Sequence, residues 1–154
     1  MRWIVPMLVV LCAACGGPFS LRRPVDFVEL DPLEQARAGY ALRAVSADGV
    51  VLAVRAIDDP RGASQRFWAE AIRNQVQRGG GYALIEEGEL RAASGELGLR
   101  IRVGRADDGH AYRYWVAVFA AAGRVFVIEA GGREEQFTAA EAELEAAFTS
   151  FRIR

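Results

Sequence analysis

The alternation of apolar and polar positions is clearest in the last third of the chain. Tyr112, Tyr114, Val116 and Val118 share one face of a strand, and Arg113, Trp115, Ala117 and Phe119 share the other. Both faces carry apolar residues, which predicts a strand covered on both sides. Ala122-Gly123 marks a turn, and Val125-Phe126-Val127-Ile128 follows with the β-branched and aromatic composition of a buried strand. Two such runs joined by so short a turn predict an antiparallel hairpin. Gly131-Gly132 is expected to end the second strand. Thr138-Ala139-Ala140-Glu141 has the form of a capping box, with Phe137 placed as a hydrophobic staple. Leu144, Phe148 and Phe151 then recur at helical spacing, while Glu141, Glu143 and Glu145 point to a solvated side.

Upstream, the same reading supplies further elements. Val25 to Leu30 forms a candidate first strand, and Asp31-Pro32-Leu33-Glu34 offers a helix N-cap with Pro at the first helical position and Gly39 as the stop. Tyr40–Val45 and Val50–Ile57 flank Asp48-Gly49, a strong hairpin signal. Ser64 caps a helix expected to bury Phe67, Trp68, Ala71, Ile72 and Val76 along one side and to stop at Gly79-Gly80-Gly81. These glycines follow a helix, whereas a phosphate loop places them before a helix N-terminus. Tyr82–Glu86 is a strand running into an acidic segment. Leu99, Ile101 and Val103 alternate with Arg100 and Arg102, and Ala106 to His110 turns back toward Tyr112. The expected fold class is α+β: a single antiparallel sheet flanked by the Ser64–Arg78 and Thr138–Phe151 helices. Trp68, Ile101, Phe126, Ile128, Leu144 and Phe148 are expected in its core.

The order of elements resembles the PsbP-like fold, an α/β/α sandwich named for a photosystem II extrinsic subunit. A Ran-binding import factor and DcrB-type bacterial lipoproteins share that fold. The resemblance covers about Val25 to Ile153. It rests on the Phe67-Trp68-Ala69-Glu70 helix, the Gly95 turn, the Val125-to-Glu129 strand and the ending Phe148-Thr149-Ser150-Phe151-Arg152-Ile153. It implies a binding or assembly module without catalysis, and no binding residue of the family maps onto a motif position here.

The first residues bear on location. Met1-Arg2 is a minimal positive region, and Trp3 to Ala14 is an apolar run of about a dozen residues, shorter than the roughly 20 that a helical span needs. It ends in Leu11-Cys12-Ala13-Ala14-Cys15-Gly16-Gly17, which resembles a bacterial lipoprotein signal whose cysteine is lipidated and becomes the mature N-terminus. Cys12 stands where Leu is commoner, so ordinary secretory cleavage after Ala14 is the alternative. The expected organisation is a signal peptide over 1–14, a lipidated N-terminus and tether over 15–24, and one domain over 25–154. The expected location is the bacterial envelope, anchored by lipid on Cys15. Gly16 favours the outer membrane over the inner, and a secreted or periplasmic protein is the alternative. Loss of Cys12 with the signal and acylation of Cys15 leave the mature chain without thiols, which excludes disulfides and cysteine metal sites. Arg22-Arg23 lies near the proposed anchor, a weak signal for anionic headgroups.

Composition narrows the chemistry. The formal net charge is −1 over 154 residues, so no field draws nucleic acid. All 19 basic residues are Arg, which excludes a Schiff-base or P-loop lysine. His110 is the sole histidine, so a hydrolase triad would have to use it; its place beside Asp108-Gly109 predicts a solvated hairpin tip. Asp107, Asp108 and His110 are weak metal candidates on one tip, and Glu86, Glu87 and Glu89 read as a solvated edge. No catalytic residue, metal site or cofactor is assigned. Arg43, Arg55, Arg100, Arg102 and Arg113 occupy the polar slots of alternating strands and are expected on one sheet face. There they would pair with helix glutamates or form an anion patch for an acidic partner or lipid headgroup. The functional expectation is therefore a lipid-anchored envelope binding or assembly module. A small-molecule or lipid carrier is the alternative, and a hydrolase using His110 the lesser one.

Overall fold

The computed structural model describes residues 17–154. Cys15 and the apolar stretch before it lie outside the described residues. Seven strands form one antiparallel sheet: β2 (Phe27–Glu29), β3 (Leu42–Ser46), β4 (Val51–Asp58), β8 (Arg124–Arg133), β7 (His110–Ala121), β6 (Leu97–Asp107) and β5 (Ala83–Arg91), in that spatial order. A separate two-stranded ribbon pairs β1 (Phe19–Ser20) with β9 (Arg152–Ile153). Three helices complete the fold: α1 (Pro32–Arg37), α2 (Gln65–Asn74), continued by a π-helical turn at Gln75–Gly79, and α3 (Glu134–Thr149). The sheet system is thus larger than a single sheet between two helices.

The hairpins form where turn chemistry places them. Both central residues have positive φ in the two-residue turns: Asp108 at 47° with Gly109 at 75°, and Ala122 at 53° with Gly123 at 70°. That backbone matches the twist of the flanking strands. Asp31 caps α1 by accepting from the Leu33 and Glu34 amides, and Ser64 caps α2 by accepting from the Phe67 amide.

Each sheet face has its own core. On one face α3 sets Phe137, Leu144, Ala147 and Phe148 over Leu52, Val54, Trp115, Ala117, Phe126 and Ile128. The Trp115 ring meets Phe137 edge-on at 5.0 Å and Phe148 at 5.9 Å. On the other face α2 lays Trp68 and Ile72 on Val116, Val118, Val125 and Val127. Ile101, Phe126, Ile128, Leu144 and Phe148 are buried as expected.

Several sequence expectations are corrected. Trp68 is only half-buried, and Phe67 and Ala71 are exposed; the buried residue of α2 is Ala69. The helix stands off the sheet instead of sealing it. α3 starts at Glu134, so Thr138 lies inside the helix and is not its cap; Arg133 holds that position with extended backbone. Gly131 and Gly132 do not end β8. They run within it, where a Cβ on Gly132 would come within 3.3 Å of the Val50 backbone and one on Gly131 within 3.1 Å of the Tyr114 ring. Close approach explains those glycines, not chain reversal. The acidic segment after Glu86 is ordered as the rest of β5, with a register shift between Leu84 and Glu86. The segment expected as a tether is part of the fold from Pro18 on: Phe19 pairs with Ile153 and packs on Phe126 and Phe151. Its apolar residues were masked in sequence by the Gly and Pro around them.

Candidate functional site

A cleft of about 480 Å³ lies between α2 with its π-helical extension and the sheet. Ile57, Trp68, Ile72, Val76 and Val127 make its walls apolar. Strand alternation sets its polar floor. Val125, Val127 and Glu129 share one face of β8, Tyr114 joins Val116 and Val118 on the same side of β7, and Arg55 stands opposite Val127 on β4. A shallower extension beyond Arg55, Tyr114 and Glu129 reaches Tyr40 and Arg43.

The floor is a linked polar array. The Tyr114 hydroxyl donates to Glu129 Oε1 at 2.7 Å. Arg55 Nε lies 3.2 Å from Glu129 Oε2, and Arg55 Nη2 donates to the Tyr40 hydroxyl at 2.8 Å. The Arg55 guanidinium also sits 4.6 Å from the Tyr40 ring centroid. Arg55 Nε makes the ion pair without hydrogen-bond alignment and has no other partner among the described residues. At the far end Arg105 reaches the Gly80 carbonyl at 3.1 Å and stacks on Tyr82 at 5.1 Å, which fastens the end of the π-helical turn to β6. At the near end Trp68 donates its indole N–H to Asp59 at 2.9 Å. That bond, with those from nearby amides, holds the Asp59 carboxyl below its ordinary range.

Burial pushes the Tyr114 phenol well above its ordinary value of 10.0, and the adjacent Glu129 charge adds to the rise. Its stabilising contribution is therefore complete below the unfolded-state value near 10 and is lost as pH rises above it. Tyr114→Phe should flatten the alkaline loss of stability seen in denaturant melts above about pH 10. Identical alkaline limbs in parent and variant would contradict this assignment.

The cleft offers hydrogen-bonding groups to a ligand. Its lining holds no Ser, Thr, Cys or His. A phenol kept neutral and a carboxylate neutralised by a guanidinium are hydrogen-bonding groups, not an activated nucleophile. His110 is exposed on its hairpin tip, and the shallow depression beside it is lined by Gly109, Ala111 and residues 133–136, with no serine. Among the described residues no three His, Cys, Asp or Glu side chains converge as metal ligands, and Asp107 pairs with Arg105 at 3.1 Å.

The five strand arginines do not share a face. Arg43 and Arg55 lie on the α2 side. Arg100, Arg102 and Arg113 lie on the α3 side, in register with Ala117, Trp115 and Gly132. Arg100 and Arg102 both bind Glu145 of α3, at 2.5 and 2.8 Å, and Arg102 also binds Glu86 at 2.9 Å. Arg113 Nε binds Glu134 at 2.7 Å. The expected one-face anion patch is thus corrected: four of the five make ion pairs, mostly with helix glutamates, and Arg43 instead lies 5.5 Å from the Tyr40 ring centroid. The physical reason is that both sheet faces are buried. Leu42 and Val54 face α3 while Ile101 and Val103 face the α2 side, so the polar slots of different strands open on opposite sides.

No protein-family model matches the chain, and no curated protein matches it in sequence. Solved structures do. Cyanobacterial PsbP (CyanoP) from Synechocystis sp. PCC 6803 superposes with a TM-score of 0.66 at 12% identity, covering 89% of this chain and 87% of that one. The fold is PsbP-like. The Saccharomyces cerevisiae Ran-binding protein Mog1p has a TM-score of 0.62 at 11% identity, covering 91% and 92% of the two chains. LpqN, involved in cell envelope biogenesis of Mycobacterium tuberculosis, has 0.58 at 14%, covering 88% and 82%. At these identities the shared property is the PsbP-like scaffold, and function must be argued from the site.

The sequence reading singled out Arg55, but it did not assemble the cleft. The available signal was parity: in β8 Glu129 continues the face of Val125 and Val127, a charge placed where an apolar residue would continue a core.

Proposed function

We propose that this chain is a lipid-anchored binding or assembly module of the bacterial envelope, acting without catalysis, with the cleft beneath α2 as its ligand site. The observation that carries the binding role is the cleft itself. Apolar walls beside a few convergent polar groups are the usual make-up of a small-molecule site. The envelope location is supported by the lipoprotein-like end of the first fifteen residues. It is also supported by LpqN, a protein of cell envelope biogenesis built on the same scaffold. The cleft also favours a second reading, that of a carrier for a small amphiphile: an apolar portion against Trp68, Ile72 and Val127, and a neutral hydrogen-bonding portion at Arg55, Glu129 and Tyr114. Glu129 already offsets the Arg55 charge, so a neutral polar group is accommodated at less cost than an anion.

The test has two arms. In cells, the mature chain should begin at Cys15, carry an acyl mass and fractionate with membranes, and Cys15→Ser should abolish all three. In solution, N-phenyl-1-naphthylamine serves as an uncharged amphiphilic probe. It should fluoresce on binding, accept energy from Trp68, and be displaced or excluded when Ile72→Trp fills the cleft. Unchanged fluorescence in Ile72→Trp would refute the cleft, and an unmodified Cys15 would refute the anchor, each independently of the other.

A further inference from the structure

The segment expected to be a loose tether is fastened at both strand and side-chain level. Phe19 and Ser20 pair with Ile153 and Arg152, and the Arg154 amide donates to the Pro18 carbonyl at 3.0 Å. Only Gly16 and Gly17 separate Cys15 from Pro18. Even fully extended, that chain spans about 11 Å. An acyl group on Cys15 would therefore hold the β1–β9 end of the sandwich against the bilayer surface, not let the domain swing on a leash.

What stands at that end is brought together from four parts of the chain. The Ile153 amide donates to Ser94 Oγ at 2.9 Å and the Ala93 amide to the Phe151 carbonyl at 2.7 Å, joining the β5–β6 turn to the ribbon. The Arg22 amide donates to Ser150 Oγ at 2.8 Å, joining the incoming chain to the end of α3. Arg22, Arg23, Arg91 and Arg152 are consequently gathered there. All four are exposed, and none has a carboxylate within ion-pair distance among the described residues. On the sheet Arg55, Arg100, Arg102, Arg105 and Arg113 are paired and Arg43 is not, and Arg91 gives one guanidinium N–H to the Gly95 carbonyl at 2.8 Å. The nearby carboxylates are few. Glu96 accepts from Ser94, and Asp58 is already paired with Arg124. Leu97, 42% exposed, follows the same turn, an apolar side chain beside the basic ones.

We propose that this end of the sandwich, presenting Arg22, Arg23, Arg91 and Arg152, is a membrane-contact surface that binds anionic phospholipid headgroups. The proposal rests on the anchored reading for its placement at the bilayer. Guanidiniums suit phosphate because their forked donors match its oxygens. The surface adds an electrostatic contact to the hydrophobic hold of the lipid. It also fixes orientation. The Gly80–Tyr82 end of the cleft lies at the opposite end of the strands, level with Arg113 and Gly132, and so faces away from the membrane.

The experiment uses the full chain with Cys15→Ser, so that no acyl group contributes, and vesicles of phosphatidylcholine alone or doped with phosphatidylglycerol. The parent should co-sediment more strongly with the doped vesicles, and salt should remove the difference. Arg91→Glu with Arg152→Glu should lower the partition onto doped vesicles by at least about ten-fold. Arg78→Glu with Arg133→Glu, exposed arginines away from this end, changes net charge equally and should leave the partition within about two-fold of the parent. Equal loss in the two double variants would overturn the proposal in favour of attraction by net charge, and no loss in either would overturn it outright. Far-ultraviolet circular dichroism on each variant separates unfolding from lost binding, and Arg22→Glu with Arg23→Glu repeats the test outside the β-ribbon. Arginine-dependent binding in a chain whose native form proves unacylated would uphold the surface and reject only the anchor.

Discussion

Phe148→Ala is expected to destabilise the domain by about 3–5 kcal/mol, the range for emptying a fully packed aromatic site. Phe148 is 0% exposed and sits on α3 where the helix crosses the α3-side core, its ring edge-on to Trp115. The site has little room to collapse. Trp115 also meets Phe137 at 5.0 Å and the Arg102 guanidinium at 4.2 Å, and Phe151 is stacked on Phe119 at 5.2 Å. For a chain of this length each kcal/mol lowers Tm by roughly 2–4 °C, so a fall of about 6–20 °C is expected in a calorimetric scan. A shift of only a degree or two would mean that α3 is not seated as described. Because α3 also supplies Glu145 and Glu134 to Arg100, Arg102 and Arg113, the variant should loosen those pairs as well.

The second large effect is expected from adding one carbon. A Cβ on Gly98 would lie 2.5 Å from the Phe119 ring and 2.8 Å from the Val118 carbonyl oxygen. Phe119 is fully buried and stacked on Phe151, so it cannot swing aside, and the carbonyl belongs to the adjacent strand. Gly98→Ala should therefore cost about 1–3 kcal/mol through overpacking, despite the lower backbone entropy that alanine gives the unfolded chain. Gly88, in the next strand, is the contrasting position. It lacks positive φ and a Cβ there meets nothing within 4 Å, so Gly88→Ala should be neutral or stabilising by about 0.4–1 kcal/mol. Urea melts of the two variants check the pair, and the opposite signs are the diagnostic result. Similar shifts for both would mean that the Gly98–Phe119 approach is not the cause.

Much of the architecture follows from local chemistry that a linear reading can use. The hairpins at Asp108-Gly109 and Ala122-Gly123 need positive φ at two consecutive positions. The caps at Asp31 and Ser64 need only a side-chain oxygen and amides two or three residues ahead. The burial of Phe126, Ile128, Leu144 and Phe148 follows from period and hydrophobicity. The capping box at Thr138 misled because β8 passes into α3 without a loop, and Phe137 is itself a core residue on the helix. The extra ribbon was not legible because two-residue strands carry no periodicity. Phe19–Ser20 becomes a strand only when Arg152–Ile153 lies beside it.

By itself, then, the sequence determined the α+β class, the order of the main elements and most of the buried residues, since each depends on spacing within one segment. The lipoprotein-like first residues and the absence of lysine are likewise properties of the linear chain. Tertiary structure alone decided which face each arginine occupies. With both faces of the sheet buried, alternation within a strand carries no information about which helix that strand's apolar side meets. It alone joined Arg55, Tyr114 and Glu129, which belong to three strands, beneath a helix that stands off the sheet far enough to leave a cleft. The grouping of Arg22, Arg91 and Arg152 at one end was decided in the same way. The bonds that gather them run between residues as far apart as Arg22 and Ser150, a proximity that only the closed fold creates.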